Sequence, residues 1–214
     1  MQNTEIIQFY KVNDPYGEFS NFKPSPILLE GEIWPTVEHY FQASKFDDFN
    51  VRDKIKLLNS PMDAAKEGRN RNNKLKEEWE EIKNKVMYKG LKAKFLQHPE
   101  LKKILLETGD KTIIEHTIND NYWADAGDGS GKNMLGILLM RIREELIKIS
   151  DNPDLIFPPW IAFPSTDNLD LFWGMGLGED YLSKWYNFIS KYGIETYMFD
   201  FPEPLEWKNA YAIN

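Results

Sequence analysis

Three polar side chains of different chemistry fall at helical spacing in residues 34–46, WPTVEHYFQASKF. Glu38, Gln42 and Lys45 lie four and then three residues apart, so a helix would carry a carboxylate, an amide and an ammonium on one stripe. The commoner explanation of such a stripe is ion pairing on a solvated helix, and the alternative is one wall of an active site. Glu38 is therefore a candidate catalytic carboxylate whose role depends on what converges on it.

A second candidate is the loop at residues 119–133, NDNYWADAGDGSGKN, which is too rich in Gly, Asp and Asn for a regular element. Trp123 could stack on a flat base and Asp125 could present a carboxylate, while N–H groups at the following helix start could hold a phosphate. The loop lacks the P-loop pattern, because Ala126 and Asn133 replace its glycine and hydroxyl residue, and it lacks calcium-loop spacing. Its 15 residues are many for a plain connection, which is the alternative.

Two arginines, Arg69 and Arg71, lie in a polar loop among asparagines. Guanidinium forks match phosphate oxygens, so both are candidate phosphate ligands, with two solvated loop arginines as the alternative. The histidines His39, His98 and His116 have no metal-ligand spacing, and the chain has no HExxH pattern. We therefore predict neither a metal site nor a cofactor.

The composition is that of a globular protein with a full core: 42% of the 214 residues are hydrophobic, 28% are charged and none is cysteine. The length suits one domain, or one domain with a sizeable addition. Neither a signal peptide nor a stretch of about 18 apolar residues is evident, so we expect a cytoplasmic protein without a membrane span. The net charge of −8 argues against broad, non-specific nucleic-acid binding.

The negative charge is concentrated at the C-terminal end. Residues 151–214 carry ten acidic and three basic side chains and 15 of the 30 aromatic residues, so residues 1–150 are nearly neutral. We divide the chain into a domain at 1–149 and an acidic, aromatic-rich extension at 150–214, which has too much apolar surface to be a disordered tail. The extension could be a contact surface for another protein, a cap over the substrate entrance or a dimer interface.

Hydrophobic periodicity and turn residues predict the elements that would position these side chains. We predict strands at 6–10, 27–29, 33–34 and 112–117, and helices starting at Pro35 and spanning 51–58, 60–68, 74–97, 99–107 and 135–149. In the extension we predict extended chain at 155–163, a turn at 174–178, a helix at 179–192 and a strand at 194–199. Gly90 inside the long helix costs about 1 kcal/mol against alanine, which suggests close packing or a bend there.

Five segments, in this order, resemble the NADAR superfamily and its YbiA-like branch in particular. They are YGEFSNF at 16–22, WPTVEHYFQASKF at 34–46, SPMDAAKEGRNR at 60–71, LKAKFLQHPELKKILLETGD at 91–110 and EHTINDNYWADAGDGSGKNMLGILLMRIREEL at 115–146. The resemblance, which runs from about Phe9 to Leu146, implies a mainly helical α+β fold in a single compact domain. Residues 150–214 lie outside it, and their own pattern of elements predicts a C-terminal α/β extension. The resemblance also implies an N-glycosidase that cleaves a bond between ribose and a base-like nitrogen.

Two substrate classes follow from the resemblance. One is the phosphorylated ribosylamino-pyrimidine intermediates of riboflavin synthesis, and the other is ADP-ribose attached to guanine in nucleosides or DNA. We favour the first, because a nearly neutral domain lacks the long basic stripe expected for duplex DNA. The rival hypotheses are a non-catalytic module that binds ADP-ribose or a related nucleotide, and an interaction protein that uses its acidic extension.

The resemblance also suggests roles for residues. Its carboxylate corresponds to Glu38, and its WGDG-like loop to Trp123 and Asp125, with Ala124 in place of a frequent glycine that allows more backbone freedom. In a transition state with oxocarbenium character at ribose C1′, Glu38 would stabilise the cation and deprotonate water, Asp125 would assist the leaving nitrogen, and Trp123 would stack on the base. The predicted substrate-binding residues are Lys45, Arg69 and Lys132 for phosphate, Ser20, Asn21 and Phe22 on the ribose side, and Trp34, Gln42 and Asn133.

Overall fold

The computed structural model describes residues 5–150, 156–163, 166, 168–192 and 207. Within these residues the fold is α+β and mainly helical, as predicted, with two small two-stranded sheets. The chain divides into two compact units, one of Met1–Ile27 with Trp34–Ile147 and one of Leu28–Ile33 with Lys148–Asn214. None of the described helices is long and apolar enough to cross a membrane.

The strands are β1 (Ile6–Phe9), β2 (Ile27–Leu29), β3 (Glu32–Trp34) and β4 (Thr112–Glu115). The helices are α1 (Val37–Ala43), α2 (Phe49–Lys56), α3 (Pro61–Glu67), α4 (Trp79–Gln97), α5 (Pro99–Glu107), α6 (Met134–Ser150), α7 (Pro159–Ala162) and α8 (Gly176–Tyr192). Short 3-10 helices lie at Gly17–Phe19 and Leu171–Gly174.

Helix α1 is the centre of the first unit and packs against α2, α3 and α4. Thr36 caps it by accepting a hydrogen bond from the His39 N–H at 3.2 Å, so Pro35 precedes the cap rather than opening the first turn. All seven helical residues are buried, Glu38 and Gln42 among them. The surface-pairing explanation of this helix is therefore wrong, because its polar stripe lies inside the unit.

Strands β1 and β4 form a parallel pair in which Phe9 lies opposite Glu115. Strands β2 and β3 form the second sheet, and their two turn residues, Glu30 and Gly31, have φ values of 56° and 79°, as hairpin turns of this length require. The parallel pair ends at Glu115, four residues before the loop at 119–133 begins. The position of β4 therefore fixes where that loop starts in the first unit.

The long helix α4 begins at Trp79, not at Lys74 as predicted. The Lys76 N–H donates to the Lys45 carbonyl at 2.9 Å instead of joining a helix. Leu75, which lies four residues before the buried Trp79 and would share its face in a continuous helix, is 48% exposed. A tertiary hydrogen bond to the chain just after α1 thus overrides the local helical pattern in this segment.

The described part of the second unit is built around aromatic rings. The ring of Trp160 lies 5.6 Å from that of Trp185 and 5.7 Å from that of Trp207, and Trp173 lies 5.3 Å from Trp207. All four indoles are buried. Such a cluster is a hydrophobic core, which agrees with the expectation that the extension is not a disordered tail.

Two predictions for the extension were wrong. Residues Pro159–Ala162 form a helical turn instead of extended chain, and α8 begins at Gly176, inside the predicted turn. A Cβ atom at Gly178 would lie 2.0 Å from the Phe172 carbonyl oxygen, so glycine here permits close packing rather than a turn. The strand predicted at 194–199 lies outside the described residues.

Gly90 lets α4 approach α1, and its replacement should be costly. A Cβ atom at Gly90 would lie 2.9 Å from Val37 Cγ1 and 3.2 Å from Tyr40 Cδ1. We expect Gly90→Ala to lower the free energy of unfolding by about 1–2 kcal/mol, because overpacking outweighs alanine's better helix propensity. Urea denaturation would measure this, with Lys85→Ala on the exposed side of α4 as the control. A Gly90→Ala protein more stable than wild type would contradict it.

Candidate active site

Glu38 is only 4% exposed, and amide donors hold both of its carboxylate oxygens. Gln42 Nε2 donates to Oε1 at 2.6 Å, and Asn21 Nδ2 donates a short hydrogen bond to Oε2. The Glu38 N–H donates in turn to the Asn21 carbonyl at 3.0 Å. Asn21 and Gln42, two of the predicted substrate-binding residues, therefore orient the carboxylate.

The environment of Glu38 prepares it for proton transfer. Burial raises the pKa of Glu38 to about 7, because desolvation disfavours the charged form. The hydrogen bonds from Gln42 and Asn21 and the positive charges of Lys45 and Arg69 oppose that rise. A carboxyl group that titrates near neutral pH can serve as a general base.

Lys45 lies just beyond the end of α1 and is half-buried. Its Nζ lies 3.4 Å from the Gly68 carbonyl and 5.5 Å from the centre of the Phe41 ring. Burial lowers the pKa of Lys45, while the charge of Glu38 acts in the opposite direction. The ammonium is therefore part of the Glu38 environment, as the helical spacing predicts.

Three aromatic side chains pack together near the position of Glu38 on α1. Trp123 meets Phe41 of α1 edge-on, with ring centres 5.4 Å apart, and Phe41 meets Trp79 at 5.0 Å. Phe41 lies three residues after Glu38 on the same helix, so Trp123 is brought close to the site. Trp123 also lines a cavity of about 490 Å³. The other residues around this cavity are Lys83, Ile118, Asn119, Asp120, Asn121 and Tyr122.

Asp125 occupies a structural position that does not suit a proton donor. Its carboxylate accepts hydrogen bonds from the N–H groups of Gly127 at 2.8 Å and Thr117 at 3.3 Å, and its other oxygen lies 2.8 Å from His116 Nδ1. Burial would raise the pKa of Asp125, but the hydrogen bonds from His116 and the backbone hold it below its ordinary value. Ionised and surrounded by donors, Asp125 holds the loop together, so the geometry does not support it as the acid.

Two further predicted substrate-binding residues are structural. Asn133 bridges the start of α6 to β4, since its Oδ1 accepts from the Glu115 N–H at 3.0 Å and its Nδ2 donates to the Ile113 carbonyl at 2.8 Å. Trp34 is 1% exposed and packs against Tyr40 with ring centres 5.6 Å apart. Neither side chain is available to a substrate in this arrangement.

The remaining predicted residues differ in how exposed their side chains are. Ser20 is 3% exposed and its hydroxyl accepts from the Phe22 N–H at 3.2 Å, while Phe22 itself is half-buried. Arg69 and Lys132 are exposed, which leaves their charged ends open to an anion. Lys132 Nζ lies 5.0 Å from the centre of the Tyr122 ring, and Lys83 Nζ lies 3.8 Å from the same ring.

Sequence reasoning missed two residues close to the site, Glu115 and Lys94. Burial first, and then the negative charges of Asp120, Glu38 and Asp125, raise the pKa of Glu115 to about 8. The signal for Glu115 was available, because strand alternation places it on the same face as the buried Ile113.

Lys94 is fully buried on α4, and its Nζ donates to the carbonyls of Glu18 at 2.5 Å and Ser20 at 2.8 Å. This contact fixes the segment that carries Asn21, the partner of Glu38. Nothing in a lysine-rich helix distinguishes this lysine from its solvated neighbours, so the sequence offered no signal for it.

The alanine that replaces a frequent family glycine is accommodated without backbone strain. Ala124 is fully buried, and its φ is not in the left-handed region, which Ala126, Gly127 and Gly129 occupy instead. The Ala124 carbonyl accepts from the Asn133 N–H at 2.9 Å. Within the described residues, no group of three or more His, Asp or Glu side chains is arranged to hold a metal ion.

Known proteins share this arrangement of segments. Residues 8–147 match the NADAR domain. The N-glycosidase YbiA of Shigella flexneri is 54% identical over 146 residues, which are 68% of this chain and 91% of that protein. The chloroplastic riboflavin biosynthesis protein PYRR of Zea mays is 42% identical over 159 residues, covering 67% of this chain and 26% of that protein.

The fold has a solved counterpart as well. The NMR structure of Escherichia coli YbiA superposes with a TM-score of 0.66 at 49% sequence identity, covering 71% of this chain and 90% of that one. The match to the domain and the identity to these relatives span the helices and loops that build the Glu38 site. The chain therefore belongs to the NADAR family.

Proposed function

We propose that this protein hydrolyses the N-glycosidic bond of phosphorylated ribosylamino-pyrimidines, which are intermediates of riboflavin synthesis. It is an N-glycosidase, a hydrolase acting on N-glycosyl bonds, like the relatives that carry that name. The observation that carries the assignment of the site is the buried Glu38 carboxyl, held by two amide donors and with a pKa raised to about 7. The name of the maize relative supports the choice of riboflavin intermediates.

Glu38 supplies the base in this mechanism. Cleavage of an N-glycosidic bond builds positive charge on ribose C1′. The ionised Glu38 carboxylate stabilises that charge and accepts a proton from the attacking water. Because Asn21 and Gln42 hold both oxygens, the carboxylate is oriented before substrate binds, which avoids reorganisation during the reaction.

An aromatic ring is available for the base, and two cations are available for the phosphate. Trp123 provides an aromatic surface, and stacking of a base on such a ring is typically worth about 1–3 kcal/mol. Arg69, which is exposed, offers a guanidinium fork for the phosphate at the rim of the site. Lys45 adds a second positive charge, and the charges of Lys45 and Arg69 both act on Glu38.

ADP-ribosylated guanine is the competing substrate, and one observation favours it. Lys83 and Lys132 flank the Tyr122 ring beside the cavity of about 490 Å³. These two cations could take a second phosphate, which a ribosylamino-pyrimidine monophosphate does not have.

A product assay separates the two substrates. Purified protein would receive the ribosylamino-pyrimidine phosphate and ADP-ribosyl-guanosine in parallel, and free base and sugar phosphate would be measured by chromatography. We expect faster release from the first substrate. Turnover of ADP-ribosyl-guanosine alone would overturn the proposed substrate class, and no turnover of either would overturn the placement of the protein in this chemistry.

The charge of Lys45 should set the pH dependence of the reaction. Its positive charge lowers the pKa of Glu38, so Lys45→Met should raise that pKa above 7. The acid limb of the kcat/KM profile should move to higher pH, with activity several-fold lower than that of wild type at pH 7.

Lys45→Arg is the matched control, because it keeps the charge and should keep the profile. Circular dichroism would confirm that both variants fold. A Lys45→Arg protein without activity at any pH would show instead that the amine itself, and not only its charge, takes part in the reaction.

A further inference from the structure

Glu115 is placed at the site by its strand. It is the last residue of β4 and lies on the same face as Ile113, because alternate residues of a strand point the same way. Ile113 is fully buried, whereas His116 on the opposite face is exposed. The Glu115 side chain is therefore directed toward the interior of the first unit, and it is partly accessible there.

The backbone around Glu115 is held from several directions. Its N–H donates to Asn133 Oδ1 at 3.0 Å, and its carbonyl accepts from the Asp125 N–H at 3.0 Å. The next N–H, that of His116, donates to the Phe9 carbonyl at 2.9 Å. A side chain on such a fixed backbone is well suited to a role that depends on position. Asn133 and Asp125, which the sequence suggested as site residues, thus support Glu115.

The surroundings of the Glu115 carboxyl favour its protonated form. Within the part of the chain that the structure describes, no side chain donates a hydrogen bond to it or forms an ion pair with it. The charges that act on it are the carboxylates of Asp120, Glu38 and Asp125, and with burial they raise its pKa to about 8. The charge of Glu38, which amides orient, thus acts on a second carboxyl group that has no side-chain donor among the described residues.

We propose that Glu115 is the general acid of the N-glycosidase and donates its proton to the nitrogen that leaves ribose C1′. In this step the C1′–N bond breaks and the water oxygen bonds to C1′. Glu38 takes a proton from that water while Glu115 gives one to the leaving nitrogen. Proton exchange with solvent then returns Glu38 to its ionised form and Glu115 to its protonated form. The Glu115 carbonyl accepts from the N–H of Asp125, two residues after Trp123, so the acid lies beside the loop whose Trp123 ring would stack on the base. This assignment rests on the proposed function.

The role of an acid is tested by changing how much the leaving group needs a proton. Wild type, Glu115→Gln and Glu38→Gln would be assayed on the ribosylamino-pyrimidine phosphate and on p-nitrophenyl riboside 5-phosphate, whose leaving oxygen departs without protonation. We expect Glu115→Gln to lose about 10²- to 10⁴-fold on the first substrate and less than about tenfold on the second. Glu38→Gln should lose activity on both, because water must be activated in either case.

Further measurements separate this role from a structural one. The kcat/KM profile of wild type should fall at alkaline pH as Glu115 loses its proton, and that limb should be absent in Glu115→Gln. Thermal unfolding would confirm folding, and Asp128→Asn, an exposed change in the loop at 119–133, should change neither rate. Equal losses of Glu115→Gln on both substrates would overturn the role of Glu115 alone, whereas no release from either substrate by wild type would overturn the proposed function.

Discussion

Replacement of Glu38 by glutamine should lower kcat by at least about 10³-fold, with substrate affinity changed only several-fold. The amide cannot accept a proton from water or carry the charge that stabilises ribose C1′. The side chain should still fit, because Gln42 Oε1 is buried and has no hydrogen-bond partner among the described residues. It can accept from the new amide if the Gln42 group turns over. Single-turnover kinetics and equilibrium binding would separate the two effects.

The same variant should be more stable than wild type at alkaline pH. The pKa of Glu38 is raised from 4.5 to about 7 on folding, so between these values the folded state binds more protons and the free energy of unfolding falls as pH rises. Glu38→Gln lacks that titration and should gain up to about 3 kcal/mol relative to wild type between pH 4.5 and pH 8. Glu81→Gln, an exposed change on α4, is the control. For the catalytic prediction, near-normal turnover by Glu38→Gln would show that Glu38 is not the base of the reaction.

The second large effect is expected at Lys94. Lys94→Met removes the donor to the part-buried carbonyl of Glu18 and the buried carbonyl of Ser20, and unsatisfied buried carbonyls cost about 1–3 kcal/mol each. We expect a loss of about 3 kcal/mol in the free energy of unfolding, measured by urea denaturation. Because Asn21 follows Ser20 directly and donates to Glu38, kcat should fall as well.

Lys94 should also affect how the free energy of unfolding depends on pH. Desolvation lowers the pKa of Lys94 from 10.5 to about 7, so between these values the unfolded state binds more protons and stability rises with pH. That rise should be smaller in Lys94→Met than in wild type. Lys85→Met, on the exposed side of the same helix, should change neither stability nor kcat. A Lys94→Met protein within about 0.5 kcal/mol of wild type would show that these carbonyls do not depend on the ammonium.

The sequence by itself determined the features that depend on neighbours along the chain. Helical spacing placed Glu38 and Gln42 on one stripe of α1, and the hydrogen bond between them follows from that spacing. Turn residues located the loop at 119–133, and alternation located β4. The order of the segments identified the family. Local geometry depends on residues that are close in the sequence, so residue types and their spacing predict it.

The tertiary structure decided which of these residues face one another. Whether the stripe of α1 is solvated depends on α2, α3 and α4, which bury it. Asp125 became a support for its loop because His116 and two backbone N–H groups reach it. Glu115 and Glu38 lie on elements 77 positions apart in the sequence, and only the pairing of β1 with β4 and the packing around α1 bring their charges together. Desolvation, which raises the pKa of both, is a property of the folded interior and has no local signature.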